Sequence, residues 1–215
     1  MRTEGWGPEY QAVFNRFAQE NNMSAIEGDD PELFKRLTIY RYGYPVFVRQ
    51  LFSRKTSDYE IFLIELQSRG DSTGPGQIVI GIISPQLELP RFSVYWKPEL
   101  PGVFGKVPRT ALKLGQHQEL DLMNISFSDV DADFDKGFLI VAKNAAAVKR
   151  FLDRAKRDVI REVGGDVMID ADADTLFFTR MMTNSSSIVA DNKGAVVRAM
   201  IRDTELIFNK FRKTY

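Results

Sequence analysis

The sequence predicts an α+β protein with a mostly antiparallel sheet. Three observations carry this. Apolar residues recur at helical spacing near the N-terminus, across a central stretch at about 144–163, and near the C-terminus. Between these lie short runs rich in β-branched and aromatic residues. The regular strand–helix alternation that supplies the crossovers of a parallel sheet is absent. The helices are expected on one face of the sheet or at its ends, with the C-terminal helix packed on it.

The first helix follows from Tyr10, Val13, Phe14, Phe17 and Ala18, which share one helical face. Pro8 suits a first helical position and ENNM suits its end. A second short helix is expected at DDPELFKRL, with Asp30 as N-cap and Pro31 after it. Strands are expected at PVFVRQLFSR, YEIFLIELQS and QIVIGIIS, the last two forming a hairpin across the Gly-rich loop RGDSTGPG. In RFSVYWK, Phe92, Val94 and Trp96 alternate with Ser93 and Tyr95, as a strand requires. The stretch PELPGVFGKVPRTALKLG reads as loop, and QELDLMNISF and KGFLIVA read as strands.

The central helix has Asn144 as its cap, Gly164 at its end, and an apolar stripe including Val148, Leu152, Ala155 and Val159. DVMIDADADTLFFTRMM reads as two strands around an acidic turn. The closing helix spans SIVADNKGAVVRAMIRDTELIFNKF, within which Gly194 is a weak point of about 1 kcal/mol. No internal repeat is visible. The expectation is one domain over 1–215: a helical segment at 1–38, a sheet-rich core at 39–183 and a C-terminal helix at 184–215.

The 29 basic and 29 acidic residues cancel, which argues against a nucleic-acid partner. Cysteine is absent, so disulfides, thiol catalysis and sulfur-based zinc sites are excluded. MRTEGWGPEYQ lacks the apolar core of a signal peptide. No stretch reaches the roughly 18 apolar residues of a membrane span; the best candidate, QIVIGIISPQLELPRF, is interrupted by Pro85, Glu88, Pro90 and Arg91. The reading is a soluble, cytoplasmic protein.

The most chemical-looking stretch is SDVDADFDKGF, with Asp129, Asp131, Asp133 and Asp135 at every second position. A calcium loop needs Gly at its sixth position and Glu at its twelfth. Counting from Asp129 these are Phe134 and Ile140, and from Asp131 they are Lys136 and Ala142. In an extended chain the four carboxylates would line one face about 6–7 Å apart, a spacing that suits a solvated edge. Asp166, Asp170, Asp172 and Asp174 form a second acidic group, best explained as a turn. His117 is the single histidine, in a segment without a nucleophile elbow, and reads as a surface residue. Phosphate-cradling glycine motifs are absent; RGD at 69–71 and the acceptor pattern at Asn184 lack supporting context. No catalytic, cofactor-binding or metal-ligating residue is assigned.

Charge is distributed in blocks. Lys35, Arg36, Arg41, Arg49, Arg54 and Lys55 occur without an acid among them, interleaved with Tyr40, Tyr42, Tyr44, Phe47 and Phe52. Residues 116–135 hold six acids and no lysine or arginine. Such blocks could pair between subunits.

ELPRFSVYWKPEL followed by DADFDKGFLIVAKNAAAVKRFLDRAKRDVI resembles a pattern in uncharacterised prokaryotic proteins of domain-of-unknown-function type, through Leu89, Pro90, Val94, Pro98, Phe134, Phe138, Ile140, Ala147 and Leu152. The resemblance covers residues 45 to 210 and implies a shared architecture without a known reaction. Many such relatives look membrane-anchored; this chain has no comparable apolar span.

These observations favour a non-enzymatic module that binds a protein partner or itself. The alternative is a hydrolase or transferase using Asp129, Asp131 and Asp133 with a divalent ion.

Overall fold

The computed structural model describes residues 8–26, 33, 46–68, 76–97, 123–180 and 194–213. Helix α1 (Pro8–Glu20) is followed by strands β1 (Ser24–Ala25), β2 (Val46–Lys55), β3 (Glu60–Ser68), β4 (Gln77–Ile83), β5 (Leu89–Trp96) and β6 (Met123–Ile125). Then come α2 (Ala132–Gly137), β7 (Phe138–Ala142), α3 (Ala145–Phe151), α4 (Arg154–Glu162), β8 (Val167–Ala173), β9 (Thr175–Arg180) and α5 (Ala195–Phe211). The nine strands form one sheet in the order β1-β2-β3-β4-β9-β8-β5-β7-β6. Every pairing is antiparallel, so the expected α+β class is what the chain adopts.

Alternation along the strands sorts side chains between two faces. Ile61 and Leu63 of β3 join the main core with Phe92 and Val94 of β5 and Ile169 of β8. Helices supply Phe14 and Phe17 from α1, Val148 from α3, Ile160 from α4, and Met200 and Phe208 from α5 to this same cluster. The helices therefore cover one face. Phe62, Ile64 and Leu66 of β3 point the other way, into a second cluster with Val79 and Phe177. Burial on both faces explains why β3 reads as an almost unbroken apolar run. In β2 the register shifts between Val48 and Gln50, so Val48 and Leu51 both reach the second cluster although they are three positions apart.

The β3–β4 hairpin and the β8–β9 hairpin match expectation. The latter is closed by a two-residue connection in which Ala173 has φ 50°. Helix α1 ends where ENNM predicts, with Asn21 Nδ2 donating to Phe17 O at 2.7 Å and Asn22 at φ 56°.

Three expectations need correction. The central helix is two helices. Asn144 caps α3 through Ala147 N at 3.0 Å, but Leu152 leaves helical geometry and Asp153 caps a new helix through Lys156 N at 2.9 Å. Arg157 donates to the freed Leu152 carbonyl at 2.7 Å, which fixes the break. Gly164, at φ 87°, terminates α4 as expected. Gly194 is the N-cap of α5 at φ 62° rather than a weak point inside it. The aspartate stretch is not extended: it turns and forms α2. The predicted helix at DDPELFKRL (beyond Leu33), the loop at 98–115, and residues 184–193 lie outside the described residues.

Candidate functional site

The acidic stretch lies where β6, last in the order of the described strands, gives way to α2. Asp131 is the N-cap of α2, its Oδ1 accepting from Phe134 N at 3.1 Å. Its other oxygen accepts from Arg157 Nε at 2.8 Å and from Arg161. Arg157 and Arg161 are one turn apart on α4, so a single carboxylate joins two helices. Burial pushes the Asp131 pKa upward, but hydrogen bonds from Arg161, Arg157 and the Phe134 amide outweigh it and bring the value down to about 2.

The other three aspartates point elsewhere. Asp129 takes Lys149 of α3 at 3.2 Å, and that lysine holds its carboxyl below the usual range. Asp133 is 90% exposed and meets only Lys136, at 3.4 Å, among the described residues. Asp135 Oδ1 accepts from Phe127 N at 2.6 Å, pinning the turn after β6. The alternation that suggested a shared face is thus split by a helical turn. Phe134, between two of these acids, is fully buried against Phe127 and Phe138.

The second acidic group also disperses. Asp166, at φ 60°, pairs with Arg180 at 2.6 Å. Asp170 and Asp172 belong to β8 itself rather than to the turn, which is left to Ala173 and Asp174. Asp170 is 2% exposed and accepts from Ser93 Oγ at 2.5 Å across the β5–β8 pair. A strand position buried by its neighbours overrides the turn preference of aspartate. Among the described residues, no three His, Cys, Asp or Glu side chains gather as a metal site would require.

Among the described residues, Arg49 and Arg54 of the basic block and Asp129 and Asp131 of the acidic block meet partners distant in the chain. Arg54 donates to Glu205 of α5 at 2.7 Å, and the Tyr59 hydroxyl donates to the same oxygen at 2.7 Å. Arg49 approaches the fully buried Glu65 at 3.6 Å. Lys35, Arg36, Arg41, the three interleaved tyrosines, His117, Asn184 and the RGD tripeptide lie outside the described residues.

What sequence reasoning missed is apolar. The large hydrophobic side chains exposed among the described residues are Met123, at 56%, and Val130, at 64%. Met123 opens β6, opposite Ala142 of β7, at the end of the sheet order. Val130 crowns the following turn, where its amide donates to Phe127 O at 3.0 Å. The available signal was one valine inside a run of aspartates, a place where burial is costly to arrange. No helix among the described residues is long and apolar enough to cross a membrane.

No protein-family model matches the chain, and no curated protein matches it in sequence. Its fold is similar to that in the crystal structure of the mycobacterial trehalose monomycolate transport factor A, TtfA, with a TM-score of 0.58 at 9% identity, covering 95% of each chain. At that identity the likeness is one of fold. Of the positions behind the sequence resemblance, Leu89, Val94, Phe134, Phe138, Ile140 and Leu152 are buried core residues, Pro90 and Ala147 are part-buried, and Pro98 lies outside the described residues.

Proposed function

We propose that the chain is a soluble, cytoplasmic module without catalytic chemistry of its own, which works by holding a protein partner at the β6 end of its sheet. The observation that carries this reading is the exposure of Met123 on β6, last in the described strand order, and of Val130 on its following turn. Apolar side chains in water, in a stretch of chain that also carries the exposed Asp129, Asp133 and Lys136, have the composition of an interface centre with a polar rim. The carboxylates support it from the other side, because Asp131, Asp166, Asp203 and Glu205 hold the scaffold together. A fold shared with a protein named as a transport factor suits an accessory role in a larger assembly. The same reading sets the chain beside the uncharacterised prokaryotic family that its core positions resemble. The alternative, divalent-ion chemistry at Asp129, Asp131 and Asp133, has against it that Asp131 is held between two guanidinium groups.

Photocrosslinking in cells tests the proposal. A crosslinker at position 130 is expected to capture one defined protein, and Met123→Asp with Asp at position 130 should weaken that protein's binding about tenfold or more. A crosslinker on β2 at Lys55, exposed in the structure, is the control. Equal capture from both positions, or binding that survives the double substitution, would sink it.

A further inference from the structure

The chain has seven methionines and no cysteine, so thioethers are its only sulfur. Met23, Met123, Met168 and Met200 lie among the described residues, and all but one are sealed. Met23 is 4% exposed, Met168 8% and Met200 0%. Met23 and Met200 belong to the main core, and Met168 sits in β8 between Tyr95 of β5 and Thr179 of β9. Met123 differs. At the first position of β6 its side chain is 56% exposed, and it belongs to neither apolar cluster. Oxygen transfer to a thioether requires the oxidant to reach the sulfur, so reactivity follows exposure. Thiols, which would otherwise compete for the oxidant, are absent from the chain.

We infer that Met123 is a reversible oxidation site, converted by hydrogen peroxide to methionine sulfoxide, and that this reaction switches off docking at the β6 end. The switch rests on the reading that a partner docks there; the oxidation site does not. The step balances: an S–O bond forms, the peroxide O–O bond breaks, sulfur gives up two electrons, and the peroxide leaves as water. Reversal needs a thiol-dependent methionine sulfoxide reductase, in which two thiols become a disulfide and the oxygen leaves as water. The exposure that admits the oxidant also admits this enzyme. A thioether is a weak acceptor and packs as an apolar group. A sulfoxide is strongly polar, and its oxygen loses water on docking without a donor placed to replace it. Because Met123 lies outside both apolar clusters, the change alters the surface and spares the core. Oxidation at Met200 would do the opposite, since it places an oxygen inside the main core.

Titration of the full chain with hydrogen peroxide, followed by peptide mass spectrometry, reads the site. Met123 is expected to gain oxygen within about threefold of the rate of free methionine, and about tenfold or more faster than Met23, Met168 and Met200. The melting temperature should move by less than about 2 °C. For the switch, purified chain carrying the crosslinker at position 130 is treated with peroxide, freed of it, and mixed with lysate. Capture should fall about tenfold or more on oxidation and return after treatment with methionine sulfoxide reductases for both epimers and dithiothreitol. In Met123→Leu, which keeps Met1, Met181 and Met182, the same peroxide treatment should change capture by less than about twofold. Oxidation of Met123 no faster than that of the three sealed methionines would overturn the site. Capture indifferent to the sulfoxide, or falling equally in Met123→Leu, would overturn the switch. Absence of any partner at position 130 removes the docking reading and the switch with it, whereas the oxidation site is decided by the peptide masses alone.

Discussion

Arg180 and Asp203, 23 residues apart, form an ion pair at 2.8 Å whose carboxylate is almost sealed from water. The same guanidinium reaches Asp166 at 2.6 Å and the carbonyls of Gly165 and Val163 at 3.1 and 2.9 Å. One side chain at the end of β9 therefore closes the α4–β8 corner and fastens α5 to it.

Replacing Arg180 by Met should cost about 2–4 kcal/mol, because it leaves a buried carboxylate and two carbonyls short of donors. Arg180→Lys should recover only part of this, since an ammonium cannot span the same fork of acceptors. Urea denaturation of the three proteins measures both numbers. A loss below about 0.5 kcal/mol for the Met variant would place it among ordinary surface changes and refute the corner's role.

Asp131 sets a pH dependence whose sign follows from its lowered pKa. The folded state holds the ionised form, with a pKa of about 2, while the unfolded chain titrates near the ordinary value of 3.8. The stability it contributes is complete above about pH 4 and is lost as pH falls toward about 2. Asp131→Asn keeps a competent helix cap but removes the charge, so it isolates the pairs with Arg157 and Arg161. The variant should be less stable by about 1–3 kcal/mol at neutral pH. The gap should close as pH falls through that window. Asp129 and Glu88, lowered by Lys149 and Lys213, act equally in both proteins and drop out of the difference. Chemical-denaturation midpoints at a series of pH values give the curve, and a gap constant down to pH 2 would contradict it.

The strands were legible because their signal is local: Phe92 and Val94 alternate with Ser93, and the structure puts the first two in the main core. The bulge in β2 was not legible, because one extra residue near Arg49 changes parity without changing composition. At Asp129 to Asp135 a period of two suggested a strand. The helical turn prevailed because Asp131 finds the Phe134 amide beside it and two arginines 26 and 30 residues away. The apolar stripe from Val148 to Val159 ran through the α3–α4 break unmarked, since Leu152 is buried on either side of the question. The internal partner of Arg54 was not legible for a related reason: it meets Glu205 across 151 residues, which no window of sequence contains. The exposed pair Met123 and Val130 left almost no trace, as exposure is a property of the assembled surface.

Gly194 turns this contrast into a measurement. Helix propensity alone says that Gly194→Ala should stabilise the closing helix by about 1 kcal/mol. The structure says the reverse. Gly194 stands at φ 62°, where an L side chain is strained, and a Cβ there would come within 2.8 Å of the Phe17 ring. Phe17 is a core residue of α1 with 1% exposure, so it has little room to withdraw. The backbone penalty is about 1 kcal/mol and displacing a packed ring adds about 1–2 more. Gly194→Ala should therefore destabilise the protein by about 2–3 kcal/mol and loosen the α1–α5 contact. Hydrogen exchange should report faster opening of α1 amides in the variant while the β3–β4 ladder keeps its protection. A variant as stable as the parent would mean that Gly194 sits inside a regular helix after all, with α1 packed elsewhere.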